Sequence, residues 1–165
     1  MPAAKTNNLE ELFLTELKDM YDAEKQLVKE LPKLAKKASN PGLRTGIQDH
    51  LEQTKGHVVR IENVFDLLGA KHQGKKCTGI QGILKEGSET LAEAGEDGVR
   101  DAALIASAQK VEHYEIASYG ALCAWAKLLG YADAAKLLHK TLEEEKAADE
   151  KLSSLAEGSV NAQAA

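Results

Sequence analysis

The chain is poor in aromatic residues, proline and cysteine. Of its 165 residues only 4% are aromatic, so a core has to be assembled from leucine, alanine, isoleucine and valine. Proline occurs only as Pro2, Pro32 and Pro41. The two cysteines, Cys77 and Cys123, lack CxxC spacing. That excludes a thiolate metal motif and a disulfide framework, and reads as two reduced thiols in a cytoplasmic protein. There is no long basic block and the net charge is -5, so neither nucleic acid nor a membrane surface is expected as a partner. No apolar run approaches the ~20 residues of a transmembrane helix. Met1 to Asn8 lacks the apolar stretch of a signal peptide. The expectation is a single domain over residues 1–165, with its core at about 9–157.

What is present is a helix-forming mixture. Apolar residues make up 43% and charged residues 28%, with alanine and leucine abundant beside glutamate and lysine. Four long periodic segments follow. The first, about Leu9 to Ala38, carries the stripe Phe13, Leu17, Met20, Leu27 and Leu31, with Pro32 late within it as a kink site. "SNPG" at 39–42 marks a turn. The second, about Gly42 to Leu68, carries Ile47, Leu51, Val58, Ile61, Val64, Phe65 and Leu68, and Gly69 reads as its stop. A long connection, Ala70 to Asp97, contains a short helix at about Ile80 to Ala94. It is too long for a tight antiparallel turn. The third and fourth segments, about Val99 to Leu129 and Tyr131 to Glu157, are separated by Gly130 and should form a hairpin. The tail "GSVNAQAA" reads as frayed. The predicted fold is all-α: an antiparallel four-helix bundle of two hairpins joined by a long crossover with a short extra helix, a layout that includes the ferritin-like folds.

Several polar residues fall on the apolar faces, where an amphipathic helix should carry none. Glu24 lies within ~20° of the centre of its stripe at 100° per residue. Glu115 centres the stripe Leu104, Ala108, Val111, Ser118 and Leu122, with Glu112 at its edge. Glu145 centres the stripe Ala134, Leu138, Thr141, Leu142 and Leu152, with Asp149 toward its edge. The second helix adds His50 and His57, with Gln53 at the edge. Asp22, Glu52 and Glu143, by contrast, point outward. Glu115 and Glu145 are equidistant from Gly130, and Glu24 and His57 nearly so from Asn40, so all these groups share the mid-bundle level. Converging buried carboxylates require a compensating positive charge. Lys25, Lys110 and Lys146 are off the stripes, whereas ionised carboxylates and neutral imidazoles are ligands for divalent metal. The reading is a site for two divalent ions.

These stretches also resemble a known family. "RDAALIASAQKVEHYEIASYGAL" at 100–122, with "DAEKQL" at 22–27, "HLEQTKGH" at 50–57 and "LEEEKAAD" at 142–149, is similar to the YciF-like proteins, a bacterial branch of the ferritin-like superfamily associated with stress responses. The likeness spans about Leu9 to Leu155. It implies metal ligation by Glu24, Glu112, Glu115 and Glu145, with His50 and the residue three positions later. That position commonly carries glutamate in the family and is Gln53 here, which leaves three alternatives: compensation by His57, weaker binding of one metal, or a water completing its shell. The resemblance also implies a homodimer, a preference for iron with manganese as the alternative, and dioxygen or peroxide as a small oxidant. Three functions stay open at this level: a di-metal oxidase, peroxidase or catalase-like protein; iron binding without turnover; and a structural or interaction bundle with a degenerate site. Tyr21, Tyr114 and Tyr119 are expected to pack at bundle edges, with an electron or an outer-shell hydrogen bond donated to the site as the alternative; Cys123 and Trp125 are expected to pack, and His72, His113 and His139 to lie in loops or on the surface.

Overall fold

The computed structural model describes residues 6–165; the reading of Met1 to Asn8 as free of a leader falls largely outside them. Among the described residues every regular element is helical: α1 (Leu9–Lys37), α2 (Pro41–Leu67), α3 (Thr78–Glu93), α4 (Asp97–Leu128), α5 (Ala132–Leu155) and α6 (Asn161–Ala164), with a π-helical turn at Ala156–Val160. No helix among them is long and apolar enough to cross a membrane.

The helix boundaries have local causes. Asn8 caps α1 by accepting from the Glu11 amide at 2.8 Å, and Lys36 and Lys37 sit in the last turn, where positive charge suits the helix dipole. Pro32 does not end α1, which runs through it to Lys37. In "SNPG", Asn40 caps α2 by accepting from the Leu43 amide at 3.0 Å, and Pro41 occupies the first turn, where its missing N–H is no loss. Gly69 (φ 62°) and Gly130 (φ 79°) take the left-handed conformation that ends α2 and α4.

The inward stripes follow a strict alternation of four and three residues. On α1 it runs Phe13, Leu17, Met20, Glu24, Leu27, Leu31, and on α2 Leu43, Ile47, His50, Thr54, His57, Ile61, Val64; all are buried. This spacing keeps one seam facing the neighbouring helices, as in bundles with shallow crossing angles. Leu51 and Val58, expected in the α2 stripe, are only half-buried because Thr54 holds the seam between the two histidines.

Around the bundle α1 packs on α2, α2 on α5, α5 on α4, and α4 on α1, while the crossover helix α3 lies against α4 and α1. The two hairpins and long crossover are therefore present as expected. Asp101, buried on α4, accepts from the backbone N–H groups of Ser39 and Asn40 at 2.8 and 2.7 Å, tying the first hairpin's turn to the second hairpin.

The tail departs from expectation. Residues 158–165 are not frayed: Val160 is fully buried and α6 packs against α4. The contact is close at Gly98, where a Cβ would come within 2.6 Å of the Gln163 carbonyl oxygen. One apolar anchor and one glycine opposite it hold the segment in place.

Candidate metal centre

Each of the four long helices contributes acid or imidazole to one buried region. α1 supplies Glu24, α2 His50 and His57, α4 Glu112 and Glu115, and α5 Glu145; Glu24, His57, Glu115 and Glu145 are wholly buried, and Glu112 and His50 nearly so. Their donor atoms form two overlapping clusters. His50, Glu112, Glu115 and Glu145 bring one atom each to within 4.8 Å of one another, and Glu24, His57 and Glu145 do the same. Glu145 belongs to both. Neither cluster contains a thiol; Cys77 and Cys123 are buried elsewhere.

The contacts are close but unsatisfied. His50 Nε2 lies 3.3 Å from Glu112 Oε1 and 3.6 Å from Glu145 Oε2. His57 Nδ1 lies 2.9 Å from Glu145 Oε1 and 3.4 Å from Glu24 Oε1. The 2.9 Å approach has the length of a hydrogen bond without its alignment, so Nδ1 counts among the unpartnered atoms. Among the described residues the buried side-chain atoms without a hydrogen-bond partner are Glu24 Oε2, His57 Nδ1, Glu112 Oε2, both oxygens of Glu115 and both of Glu145. All belong to these two clusters. Each such atom costs about 1–3 kcal/mol, and more when charged. Native interiors rarely leave them so, and a group of them in one place could hold a metal ion.

Both imidazoles are held from behind. His57 Nε2 contacts Glu144 Oε2 at 2.9 Å, and Arg60 grips the same carboxylate at 2.9 and 3.3 Å. Arg60 also donates to Thr141 Oγ1 at 2.6 Å. With Nε2 directed at Glu144, Nδ1 is the ring nitrogen that faces Glu24 and Glu145, and in the neutral ring it would offer them a lone pair. On His50 the roles of the two ring nitrogens are reversed: Nδ1 meets Gln53 Oε1 at 3.3 Å, leaving Nε2 toward Glu112 and Glu145. A carboxylate or amide behind the imidazole that fixes the tautomer is the usual support of a metal-ligating histidine. Tyr119, fully buried, donates to Glu24 Oε1.

Electrostatics express the same conflict. Burial, with the charges of Glu145 and Glu24, pushes Glu112 well above the ordinary carboxylate range. Burial and the charges of Glu145, Glu24 and Glu112 do the same to Glu115. Glu24 is raised by burial, which His57 and Tyr119 only partly oppose. Burial works against a charged His57 ring, but Glu145 and Glu24 outweigh it and lift its pKa to about 10. Glu145 ends low, because His57 and His50 outweigh the burial that would raise it. Glu144 is low as well: Arg60 and His57 overcome its partial burial. One proton on His57 is thus the compensation the protein's own side chains offer to four neighbouring acids.

Of the eight residues singled out from the sequence, Glu24, His50, His57, Glu112, Glu115 and Glu145 are brought together. Gln53 and Asp149 are not. Gln53 is exposed at the edge of α2 and turns its amide back to His50. Asp149, half-buried, is held by Gln109 at 3.1 Å and by His113 at 3.1 Å. Tyr119 corrects the expectation of edge packing: the buried seam of α4 runs through Glu112, Glu115, Tyr119, Leu122 and Ala126, so Tyr119, and not Ser118, follows Glu115 inward. Tyr114 is engaged at 3.2 Å with both Asp19 and the Cys77 thiol, and Tyr21 donates to Glu62 at 2.7 Å. The Arg60–Glu144 pair was missed, since both lie beside the seam and reach inward only through their side-chain conformations.

Comparison with known proteins agrees with this architecture. Residues 8–165 match the family model described as a domain of unknown function, DUF892. The chain is 49% identical over 157 residues to the protein YciF of Escherichia coli K12, covering 94% of this chain and 95% of that one. The crystal structure of the E. coli stress protein YciF superposes with a TM-score of 0.90 at 48% identity, over 94% of this chain and 99% of that one. YcfI of Rhodopseudomonas palustris, provisionally called a structural protein, gives a TM-score of 0.90 at 44% identity, over 93% of this chain and 98% of its own.

Proposed function

The chain belongs to the DUF892 family, and from that premise we propose that its buried acid cluster holds two divalent metal ions, iron first and manganese second, in a cytoplasmic protein of the stress response. The observation that carries this reading is the set of partnerless buried atoms on Glu24, His57, Glu112, Glu115 and Glu145. Two divalent cations would offset the four carboxylates, with two neutral imidazoles completing the donor set. Four glutamates and two histidines are the donor tally of ferritin-like di-metal sites, although here both histidines come from one helix and the glutamate pair from another. Oxygen and imidazole donors suit iron and manganese and do not choose between them.

In this reading Glu145, which belongs to both clusters, would serve both ions; Glu24 and His57 would hold one, and His50, Glu112 and Glu115 the other. Glu144 and Arg60 fix the orientation of His57, Gln53 that of His50, and Tyr119 that of Glu24. Bound iron would supply the electrons for reducing dioxygen or peroxide. The wholly buried side of the site would exclude bulk water, leaving approach from the His50 side. Pairing of two copies through outer helix faces belongs to the same proposal and would appear as twice the chain mass by light scattering.

The test is oxygen and peroxide consumption by protein loaded anaerobically with Fe(II). Uptake in proportion to bound iron, faster than free Fe(II) at the same concentration, supports an oxidant-reactive centre. Tight iron without faster uptake favours the second reading, a metal-holding bundle without turnover. The neutral Gln53 and the structural description of the R. palustris relative favour that second reading.

A further inference from the structure

A cavity of about 250 Å³ opens beside the candidate metal centre, with His50 and Glu112 among its lining residues. Its walls are apolar, including Leu31, Ile47, Ala108, Ala148, Leu152 and Leu155. Ala148 stands one turn after Glu145 on the α5 seam, so a small side chain there keeps space open at the level of the site.

Dioxygen and peroxide do not need this much room. An apolar cavity of ~150 Å³ accommodates benzene, so this one has space for a single ring with a substituent. The charges at the rim are already matched: Lys151 Nζ lies 3.6 Å from Asp49 Oδ2. An anion would meet the acids of the floor, and a cation would lose its hydration against apolar walls. The floor is polar: Glu112, 3% exposed, and His50 bring an acid and an imidazole to it. An apolar body with one hydroxyl donor satisfies both walls and floor.

We infer that this cavity binds a small uncharged phenol-class molecule, with its ring against the α4 and α5 alanines and its hydroxyl toward Glu112. The cavity is a property of the chain itself. Only the placement of the hydroxyl beside a metal position rests on the di-metal reading.

The experiment is calorimetric titration with phenol, with benzoate as the control, on metal-free protein and on protein loaded anaerobically with Fe(II). Phenol should bind saturably at one site per chain, with a dissociation constant on the order of a millimolar for so small a ligand. Benzoate should bind at least tenfold more weakly. Ala148→Leu narrows the cavity while replacing no ligand candidate and should weaken phenol at least tenfold, with bound iron and the melting temperature unchanged. Ala108→Leu serves the same purpose if Ala148→Leu does not fold. No saturable phenol binding by the wild type overturns the inference. So does phenol binding that both filling variants leave intact. Benzoate binding more tightly than phenol, and lost in Lys151→Ala, also overturns it by marking an anion site. Phenol binding by a protein that takes up no iron leaves the cavity inference standing and removes the metal reading; iron uptake without phenol binding does the reverse.

Discussion

The two sides of the acid cluster are built differently. Glu24 and His57 are wholly buried, and His57 is backed by a charged carboxylate clamped by Arg60. Across Glu145, His50 and Glu112 border the cavity, and His50 is backed only by the neutral amide of Gln53 at 3.3 Å. One side is sealed and rigidly oriented; the other is accessible and loosely oriented. Di-metal centres that react with small molecules need both qualities: ligands fixed before the reaction, and a face where an oxidant can arrive. Under the proposed di-metal reading, the contrast assigns retention to the sealed side and access to the open side.

The largest effect should come from the residue both sides share. Glu145→Ala should abolish tight metal altogether, whereas Glu24→Ala should remove the sealed position and leave up to one ion per chain by elemental analysis. Equal losses in the two variants would erase the distinction between the sides.

A smaller effect follows from protonation of the metal-free chain. His57, raised from 6.5 to about 10, contributes stability that is fully present below pH 6.5 and is lost as pH rises through about 10. The raised carboxyls of Glu24, Glu112 and Glu115 act in the same direction, since the folded chain binds their protons more tightly than the unfolded chain does. The lowered Glu144 and Glu145 act oppositely, but their contribution is lost only on acidification toward and below the ordinary carboxylate value. The melting temperature of metal-free protein should therefore fall between pH 6.5 and 10, and that of the loaded protein should fall much less. Parallel curves for the two forms would contradict the assignment of His57 as a ligand.

The smallest effects lie in the supporting residues, and they should differ between the sides. Arg60→Ala should weaken metal affinity ~10- to 100-fold through loss of the Glu144 clamp, the usual range for such partners. Gln53→Ala should cost only about threefold, because a long hydrogen bond to a neutral amide contributes less than a charged one. Competition with a chelator measures both; a larger loss in Gln53→Ala would reverse the roles of the two sides.

Much of this architecture was legible in the residues. The 4–3 alternation that defines the seams is visible in Phe13–Leu17–Met20–Glu24–Leu27–Leu31, and the intrusion of Glu24, Glu115 and Glu145 into such seams marks the site before any fold is known. The equal spacing of Glu115 and Glu145 about Gly130 likewise predicts their meeting. What was not legible depends on side-chain reach. Asp149 and Gln53 lie within a turn of true seam positions, and only the rotamers that carry them to Gln109, His113 and His50 remove them from the clusters. Arg60 and Glu144 are the converse case, ordinary surface charges by pattern that extend inward to His57. Tyr119 is found only when the α4 seam is set through Glu112 in place of Val111, since Glu112–Glu115–Tyr119–Leu122 then keeps the alternation. The ordered tail rests on one buried side chain, Val160, and a close backbone approach at Gly98, too little periodicity for a sequence to announce.

The most direct test of the central claim is the iron content of wild-type protein, stripped of metal, reloaded anaerobically with Fe(II), desalted and analysed per chain. Two ions per chain, with a melting temperature above that of the stripped protein, is the predicted result. No retained iron and no change in melting temperature would contradict it, leaving a helical bundle whose buried glutamates are neutralised by protons alone.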